Sequence, residues 1–401
     1  MLEALFKEFD SVYDKSKLSI ESLRNNLSGF SNILLYGAGS AGIAFLHYLR
    51  KYDITPSAFI DGDPKKWGTK CEGIDVLSPE SIIKTFGEDI LVIVAINTDG
   101  KRYCKSFDEA LRLGGHTGVH KRLIELGIKN IVDYTIFRNC YELFIGDEYN
   151  LPSCSDVYLM KEKKEDIKKV FEMLEDDLSK EIYYKIVKFR MLDDSIEIPT
   201  LKQDHQYFEP GLYRPIQSEI FIDCGAFNGI SLKTFLNLNR TFRRYYAFEP
   251  DSTNFEALTE YVSTLTEETK NKIELLECAV LDKAGTDTLY KLEGPGSFMS
   301  SLGKDPVKTD TIDNVLNGSK ATYIKMNIEG SELEAIKGCY ETIEKHKPIL
   351  AIAAYHKTWD LWEIPLLVKA LFSGYKVYLR SYMNHISFVY YFVPEERTQN
   401  G

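Results

Sequence analysis

Apolar and polar residues follow two different periods along the chain, and the changes of period predict its elements. Residues 1–30 carry apolar positions at helical spacing and close with Gly29, which predicts one leading helix. From residue 31, short apolar runs such as "NILLY" and "ILVIVA" alternate with helical stretches up to about residue 150. Runs that are apolar throughout are typical of strands buried on both faces, so residues 31–150 predict a Rossmann-like, doubly wound α/β domain.

The alternation stops and then restarts, which predicts a second domain. Residues 151–217 are rich in charge at helical spacing and predict a helical connector. Residues 218–401 again alternate strand and helix, but their last two apolar segments, "YKVYLRSY" and "ISFVYYFVP", are separated by only a few residues. Such a connection is too short for a parallel crossover, so the last strand should run antiparallel. A doubly wound sheet with this ending is typical of class I methyltransferases.

Composition narrows the partners and the compartment. The 401 residues carry a formal charge of −11, which disfavours a nucleic-acid partner because such proteins normally present a basic surface. The seven cysteines are an odd number and form no C-x-x-C pair, which indicates neither a disulfide framework nor a zinc site and fits the cytoplasm. His116 and His120 have metal-ligand spacing but no third ligand nearby, so no metal is predicted. No signal peptide or integral membrane segment is expected.

The first glycine-rich turn matches a dinucleotide fingerprint. In "YGAGSAG", Gly37, Gly39 and Gly42 follow a strand and open a helix, and Asp61 ends the next strand. By spacing alone, the default ligand is NAD. The continuation "FIDGDPKKWGTKCEGIDVLSPE" resembles the N-terminal domains of bacterial sugar-modifying enzymes, a resemblance that implies a nucleotide or nucleotide-sugar, NAD, or a role in packing and assembly.

The second glycine-rich turn, "DCGAFNG", has a different spacing and carries an acid. Asp223 precedes Gly225, Asn228 and Gly229 in this turn. A carboxylate here would repel a pyrophosphate but suits the cationic amino-acid end of S-adenosylmethionine. Glu249 ends the next strand, where an acid can accept both ribose hydroxyls of a bound cofactor. These residues therefore predict an S-adenosylmethionine site in the second domain.

Longer segments extend this prediction to a family. Residues 219–393 resemble the FkbM-type, S-adenosylmethionine-dependent O-methyltransferases through "FIDCGAFNG", "YAFEPD", "CAVLDKAG", "KTDTIDNVL", "YIKMNIEGSELEAIKG" and "HKPILAIAAYHKTWDLWEIP". The resemblance implies methyl transfer to a hydroxyl, often on a sugar, glycan or polyketide, and it implies that Ala279 lies near the adenine. A small-molecule or glycan acceptor and a role in polysaccharide biosynthesis are expected, and a homo-oligomer is left open.

One residue departs from the family pattern. Where the family usually has aspartate in "K-x-D-x-E-G", this chain has Asn327, which can hold a hydroxyl but cannot take its proton. Glu329 and His356 follow neighbouring strands and are the candidate bases, although Glu329 precedes a helix and can instead act as its cap. Two alternatives stay open, namely a non-catalytic binding module and an NAD-dependent oxidoreductase that uses the first loop.

Overall fold

A computed structural model describes most of the chain as two compact units. The described residues are 1–16, 18–96, 104–113, 118–134, 136, 157–192, 196–238, 241–291, 296–301, 303–383 and 387–399. His116 and parts of the loop at 293–305 therefore lie outside the described residues. The N-terminal unit comprises Met1–Lys164 and Val187–Ile196, and the C-terminal unit comprises Glu165–Ile186 and Glu197–Gly401. The connector predicted at 151–217 is thus divided between the two units.

The N-terminal unit begins with two helices where the sequence predicted one. The second begins at Ile20 because the Ser19 hydroxyl accepts a hydrogen bond from the Ser22 amide, which makes Ser19 an N-cap rather than a helix-interior residue. The helices up to the unit division are α1 (Leu2–Ser16), α2 (Ile20–Leu27), α3 (Ser40–Lys51), α4 (Ile82–Phe86), α5 (Phe107–Leu113), α6 (Gly118–Glu125) and α7 (Val157–Glu162).

The sheet of this unit has six described strands in the order β3-β4-β2-β1-β5-β6. Its neighbours pair in parallel except β3, which is antiparallel to β4. Leu34 and Leu35 are both fully buried but lie in different core clusters, one on each face, which explains the continuous apolar runs. The strands are β1 (Asn32–Tyr36), β2 (Ala58–Ile60), β3 (Lys70–Cys71), β4 (Ile74–Leu77), β5 (Ile90–Val94) and β6 (Asn130–Asp133).

The C-terminal unit is built on a seven-stranded sheet in the order β16-β17-β15-β14-β7-β8-β9. The five strands from β15 to β9 pair in parallel, and β17 runs antiparallel to both of its neighbours. This arrangement confirms the predicted fold class. The strands are β7 (Glu219–Cys224), β8 (Phe242–Phe248), β9 (Ile273–Leu276), β14 (Tyr323–Met326), β15 (Ile349–Ala353), β16 (Tyr375–Met383) and β17 (Ser387–Pro394).

Helices connect these strands and cover the sheet. Helix α9 extends across the division between the units, which falls after Ile186. The helices are α8 (Lys164–Met173), α9 (Asp177–Leu192), α10 (Ile230–Asn237), α11 (Ser252–Ser263), α12 (Glu267–Lys270), α13 (Ile312–Leu316), α14 (Glu332–Lys337), α15 (Tyr340–His346) and α16 (Asp360–Leu371).

A small four-stranded sheet is inserted between β9 and β14, and the sequence did not predict it. Its order is β10-β13-β11-β12. The segment "KIELLECAV", which was predicted as one strand, is divided between β9 of the large sheet and β10 of the small one. The strands are β10 (Ala279–Val280), β11 (Gly285–Tyr290), β12 (Phe298–Met299) and β13 (Asp305–Asp310). Within the described part of the chain, no helix is long and apolar enough to cross a membrane.

Candidate functional site

The second glycine-rich turn is shaped by close contact between neighbouring strand ends. Gly225 follows β7 with a φ of 79°, and a Cβ added to it would lie 2.0 Å from the backbone oxygen of Asn327. Gly229 has a φ of 87°, begins α10, and would meet the Tyr261 ring at 2.8 Å. Both positions therefore require glycine because of backbone conformation and packing. Asn228, between them in the turn, is exposed.

Asp223 is paired inside the protein. Its carboxylate is fully buried, with Oδ1 lying 2.9 Å from Lys325 Nζ and Oδ2 accepting a hydrogen bond from the Tyr245 hydroxyl at 2.7 Å. Lys325 also donates to the Gly225 carbonyl at 2.7 Å, so the ion pair helps to hold the glycine-rich turn in place. The contact of Asp223 with the amino group of S-adenosylmethionine stays a prediction.

A cavity of about 650 Å³ opens beside this turn. Of the predicted site residues in this unit, those that line it are Gly225, Glu249, Ala279, Asn327 and Glu329, whereas Asp223, Asn228, Gly229 and His356 do not. A volume of this order is typical of small-molecule sites. The structure thus brings both predicted halves of the site, cofactor and acceptor, to one cavity.

Glu249 lines the cavity directly after β8. It is 6% exposed, and its Oε2 and Oε1 accept hydrogen bonds from the amides of Phe227 at 2.8 Å and Asp251 at 3.0 Å. Burial raises the pKa of Glu249 despite these hydrogen bonds and a further one from the Asn254 side chain. A carboxylate offers about four lone-pair sites, so Glu249 can still accept a hydrogen bond from a ligand in the cavity.

The small sheet contributes a wall that sequence reasoning missed. Phe298 and Met299 of β12 line the cavity together with Ala279 of β10. Ser297 also lines it and donates a hydrogen bond to Asp251 Oδ2 at 3.1 Å. Strand β12 has only two residues, too few to show a period, so this wall could not be predicted from the sequence.

Asn327 follows β14 and is held by an aromatic network. Its Oδ1 accepts a hydrogen bond from the Tyr355 hydroxyl at 3.0 Å, and Tyr355 in turn is hydrogen-bonded to Tyr207. Gln206 donates to the Tyr207 hydroxyl at 3.2 Å. All four residues line the cavity. Neither Tyr207 nor Tyr355 was predicted from the sequence as a site residue.

Glu329 and His356 were the two candidate bases, and they differ in their surroundings. Glu329 lines the cavity with its side chain 20% exposed. The His356 side chain is 3% exposed, with Nδ1 lying 3.0 Å from Glu332 Oε1 and Nε2 3.5 Å from Glu329 Oε2. Burial alone would lower its pKa, but Glu332 and Glu329 outweigh burial and raise the pKa of His356 well above its usual value. The two carboxylates therefore favour the charged form of His356, and its role as a base stays a prediction.

The neighbourhood of His356 also has the spacing of a metal-ligand cluster. Donor atoms of Glu332, His356 and Asp360 lie within 4.8 Å of one another, and all three residues are buried. Glu332 already accepts hydrogen bonds from the Ile328 and Gly330 amides at 2.9 and 3.0 Å. The three donors of the cluster are fewer than the four-ligand set of a structural zinc site.

The acid beside the first glycine-rich turn, Asp61, is paired with a lysine. Gly37 has a φ of 112°, and a Cβ on Gly42 would lie 1.8 Å from the Gly37 carbonyl oxygen, whereas nothing lies within 4 Å of one on Gly39. Asp61 Oδ2 accepts hydrogen bonds from the Ala38 amide at 2.8 Å and from Lys66 Nζ at 3.1 Å. The acid that would bind a ribose in a dinucleotide site is thus engaged with its own turn.

The comparisons with known proteins identify the C-terminal unit. Residues 223–388 match the family model described as "Methyltransferase FkbM domain". This region is an FkbM methyltransferase domain. The match confirms the resemblance on which the family prediction was based, and it confirms methyltransferase as the enzyme class. No curated protein matches the sequence.

One solved structure shares the fold of this chain. The methyltransferase FkbM from Methylobacillus flagellatus KT is 20% identical with a TM-score of 0.64, and the match covers 98% of this chain and 100% of that one. At this identity the likeness shows a shared fold. An rRNA methylase from Streptococcus thermophilus is 14% identical over 47% of this chain and 93% of its own, with a TM-score of 0.29 that is too low to carry an argument.

Proposed function

We propose that the FkbM domain transfers a methyl group from S-adenosylmethionine to a hydroxyl of a carbohydrate or carbohydrate-linked precursor. One observation carries this proposal, namely that a single cavity is lined both by Gly225, Glu249 and Ala279 and by Asn327 and Glu329. The first group suits a nucleoside cofactor, and the second suits a hydroxyl acceptor.

The cofactor half fits S-adenosylmethionine by the chemistry of its residues. The carboxylate of Glu249 suits the two ribose hydroxyls, since it presents oxygens that only accept hydrogen bonds. Gly225 exposes backbone where a side chain would otherwise stand, and Ala279 offers a small apolar surface for an adenine. Phe298 and Met299 extend that apolar surface. When bound, S-adenosylmethionine supplies an electrophilic methyl group on a positively charged sulfur.

Asn327 and Glu329 can act on an acceptor hydroxyl, the first as a hydrogen-bond donor to its oxygen and the second as a base for its proton. Asn327 has its Oδ1 engaged by Tyr355, so its amide N–H groups are the part that can donate to an acceptor oxygen. Glu329 is the carboxylate that can take the proton as the new C–O bond forms. Holding oxygen and methyl group in line accounts for much of such a rate, and a base adds about 10²- to 10⁴-fold.

Several neighbouring features favour a carbohydrate acceptor in a reducing compartment. Tyr207 and Tyr355 place aromatic faces and hydroxyls beside the polar groups of the cavity, a combination that suits a sugar ring. The described cysteines, Cys71, Cys104, Cys224, Cys278 and Cys339, carry free thiols, which supports a cytoplasmic location. We assign the enzyme on these grounds to polysaccharide biosynthesis.

Turnover on an acceptor panel tests this function. The full chain would be incubated with S-adenosylmethionine and free sugars, amino sugars or nucleotide-sugars, and the formation of S-adenosylhomocysteine would be measured. We expect methylation of at least one sugar hydroxyl, and Glu329→Gln should lower its rate by about 100-fold or more with cofactor affinity unchanged. Binding of S-adenosylhomocysteine without turnover on any acceptor would favour a non-catalytic module.

For the N-terminal unit we propose a nucleotide or nucleotide-sugar ligand rather than NAD. The open space at Gly39, which begins α3, suits a phosphate, and Lys66 adds a positive charge beside the turn. NAD is disfavoured because Lys66 pairs with Asp61 at 3.1 Å, which also weakens the oxidoreductase alternative. Titration of the full chain with UDP-sugars and with NAD, followed by NMR of the Gly37–Gly42 amides, separates these ligands. A response to NAD alone would overturn the preference.

A further inference from the structure

Glu332 and His356 form a buried pair that does not line the cavity and has no part in the proposed cofactor binding or proton transfer. Glu332 begins α14 with no exposed surface, and its two oxygens accept hydrogen bonds from the amides of Ile328 and Gly330. These two amides flank Glu329 in sequence. Glu332 thus braces both sides of the turn that carries Glu329.

That turn is held in a conformation that residues other than glycine rarely adopt. Glu329 has a φ of 54°, in the left-handed region, and Gly330 follows with a φ of 97°. Left-handed backbone at a residue other than glycine persists only where its surroundings fix it, and it is concentrated at functional sites. The two hydrogen bonds to Glu332 supply this fixation for the backbone.

His356 fixes the side chain as Glu332 fixes the backbone. Its ring lies between two carboxylates, 3.0 Å from Glu332 on the Nδ1 side and 3.5 Å from Glu329 on the Nε2 side. The ring reaches Glu329 from the buried side, while Glu329 itself also lines the cavity. A carboxylate held by a cation on one side presents its remaining lone pairs on the other.

We propose that Glu332 and His356 form a positioning pair that fixes the Glu329 carboxylate toward the acceptor hydroxyl. This inference deepens the proposed function and rests on it. Neither residue touches the substrate. Their effect is on the orientation and charge state of Glu329, as second groups commonly orient a catalytic base.

Other charged and titratable groups surround Glu332 and His356 and contribute to the net charge of this buried region. Asp360 of α16 accepts a hydrogen bond from the Lys357 amide at 2.7 Å, and burial followed by Glu332 raises the pKa of Asp360 to about 7. Tyr355 and Tyr207 face the same carboxylates, and burial raises the pKa of each hydroxyl, so both stay protonated. His356 and Lys357 are therefore the cations that offset the three acids.

The kinetic test compares His356→Gln and Glu332→Gln with wild type and uses His47→Gln as a matched control. His47 is also buried, but it lies in α3 of the N-terminal unit. We expect each variant of the pair to lower kcat by about 10-fold or more with S-adenosylhomocysteine affinity unchanged. The loss should fall on kcat and leave the KM of the acceptor within about 3-fold of wild type, because neither residue touches the substrate.

A merely structural role would lower the melting temperature without a selective loss of kcat, so a kcat within a few-fold of wild type in folded His356→Gln overturns the proposal. Loss of wild-type turnover on treatment with a chelator would overturn it as well, because the cluster would then bind a metal ion.

Nitrogen NMR of the His356 ring gives a readout that needs no acceptor. In wild type the ring should titrate well above the usual histidine range, and in Glu332→Gln it should titrate lower. If the ring titrates normally in wild type, the positioning pair does not exist, whatever the enzyme's activity. If the ring behaves as expected but wild type methylates no acceptor, the proposed function fails and the positioning role falls with it.

Discussion

In both glycine-rich turns the acid of the next strand accepts hydrogen bonds from an amide of the turn and from the amide two residues after the acid, but a lysine pairs with that acid in the first turn and with a different acid in the second. In the N-terminal unit, the acid of the second strand, Asp61, accepts hydrogen bonds from the Ala38 and Asp63 amides and lies 3.1 Å from Lys66 Nζ. In the C-terminal unit, the corresponding acid, Glu249, lines an open cavity. The additional acid there, Asp223, is neutralised by Lys325 below the turn. The two turns therefore differ in which acid the lysine neutralises. In the first turn it is the acid at the end of the second strand, whereas in the second turn it is Asp223, and Glu249 stays at the cavity.

The comparison also separates two reasons for glycine. Gly225 is required because another strand end approaches it closely, whereas Gly39 faces open space. A spacing rule treats the two positions alike, since both are described by the same letter. Only the surrounding structure tells which glycine serves packing and which one leaves room for a ligand.

Substituting Gly225 and Gly39 with alanine should give the largest difference in the free energy of unfolding between the two turns. Gly225→Ala would force a Cβ to within 2.0 Å of the Asn327 backbone oxygen at a φ of 79°, so we expect a loss of about 4 kcal/mol or more in the free energy of unfolding. Gly39→Ala should cost less than about 1 kcal/mol. Urea denaturation measures both. Equal losses would contradict the distinction.

Removing the lysine partner of Asp223 and that of Asp61 should give the next largest difference in the free energy of unfolding. Lys325→Met leaves Asp223 charged and fully buried, which we expect to cost about 3 kcal/mol or more. Lys66→Met removes a side chain that is 41% exposed, and solvent screening limits its loss to less than about 1 kcal/mol. Denaturation of the two variants in the same buffer measures the difference. A small loss in Lys325→Met would mean that Asp223 is solvated and therefore available to a ligand.

Sequence patterns predicted the two doubly wound sheets well because buried parallel strands leave continuous apolar runs. The antiparallel last strand was predictable for a similar reason, since a short connection between "YKVYLRSY" and "ISFVYYFVP" excludes a crossover. The small inserted sheet was not predictable. Its strands β10 and β12 have two residues each, too few to show any period.

The site was predicted less completely than the fold. Glu249, Asn327 and Glu329 follow strands and line the cavity, as strand-end residues of open α/β sheets commonly do. Asp223 and His356 also stand at strand ends, but each has a buried partner of opposite charge, Lys325 and Glu332. Those partners lie far away in sequence or on another element. No local pattern distinguishes a carboxylate that is paired internally from one that faces a ligand.

The pH dependence of stability should differ in sign between two buried acids, with a smaller effect. Hydrogen bonds from Asp63 and Ala38 and the contact with Lys66 outweigh burial and lower the pKa of Asp61. Its stabilisation is therefore present above the unfolded-state pKa and is lost as the pH falls through the folded-state value. The pKa of Asp360 is raised to about 7, so the folded state holds its proton longer than the unfolded state and stability falls as the pH rises from about 4 toward 7.

Asparagine variants isolate these two contributions. Asp360→Asn should remove a loss of at most about 1.4 kcal/mol per pH unit in that window, whereas the difference between wild type and Asp61→Asn should shrink below about pH 4. Unfolding free energies measured from pH 3 to pH 8 give both slopes. Parallel curves for wild type and Asp360→Asn would show that this carboxyl is not perturbed.

Calorimetry with S-adenosylhomocysteine tests most directly the central claim that the C-terminal cavity, and not the first glycine-rich turn, holds the methyl donor. The full chain should bind one equivalent. Glu249→Gln should weaken binding by about 10-fold or more, because it removes charged acceptors from the ribose hydroxyls, while Asp61→Asn should change the affinity by less than about 3-fold. An affinity that survives Glu249→Gln but is lost in Asp61→Asn would place the donor in the other unit and contradict the account.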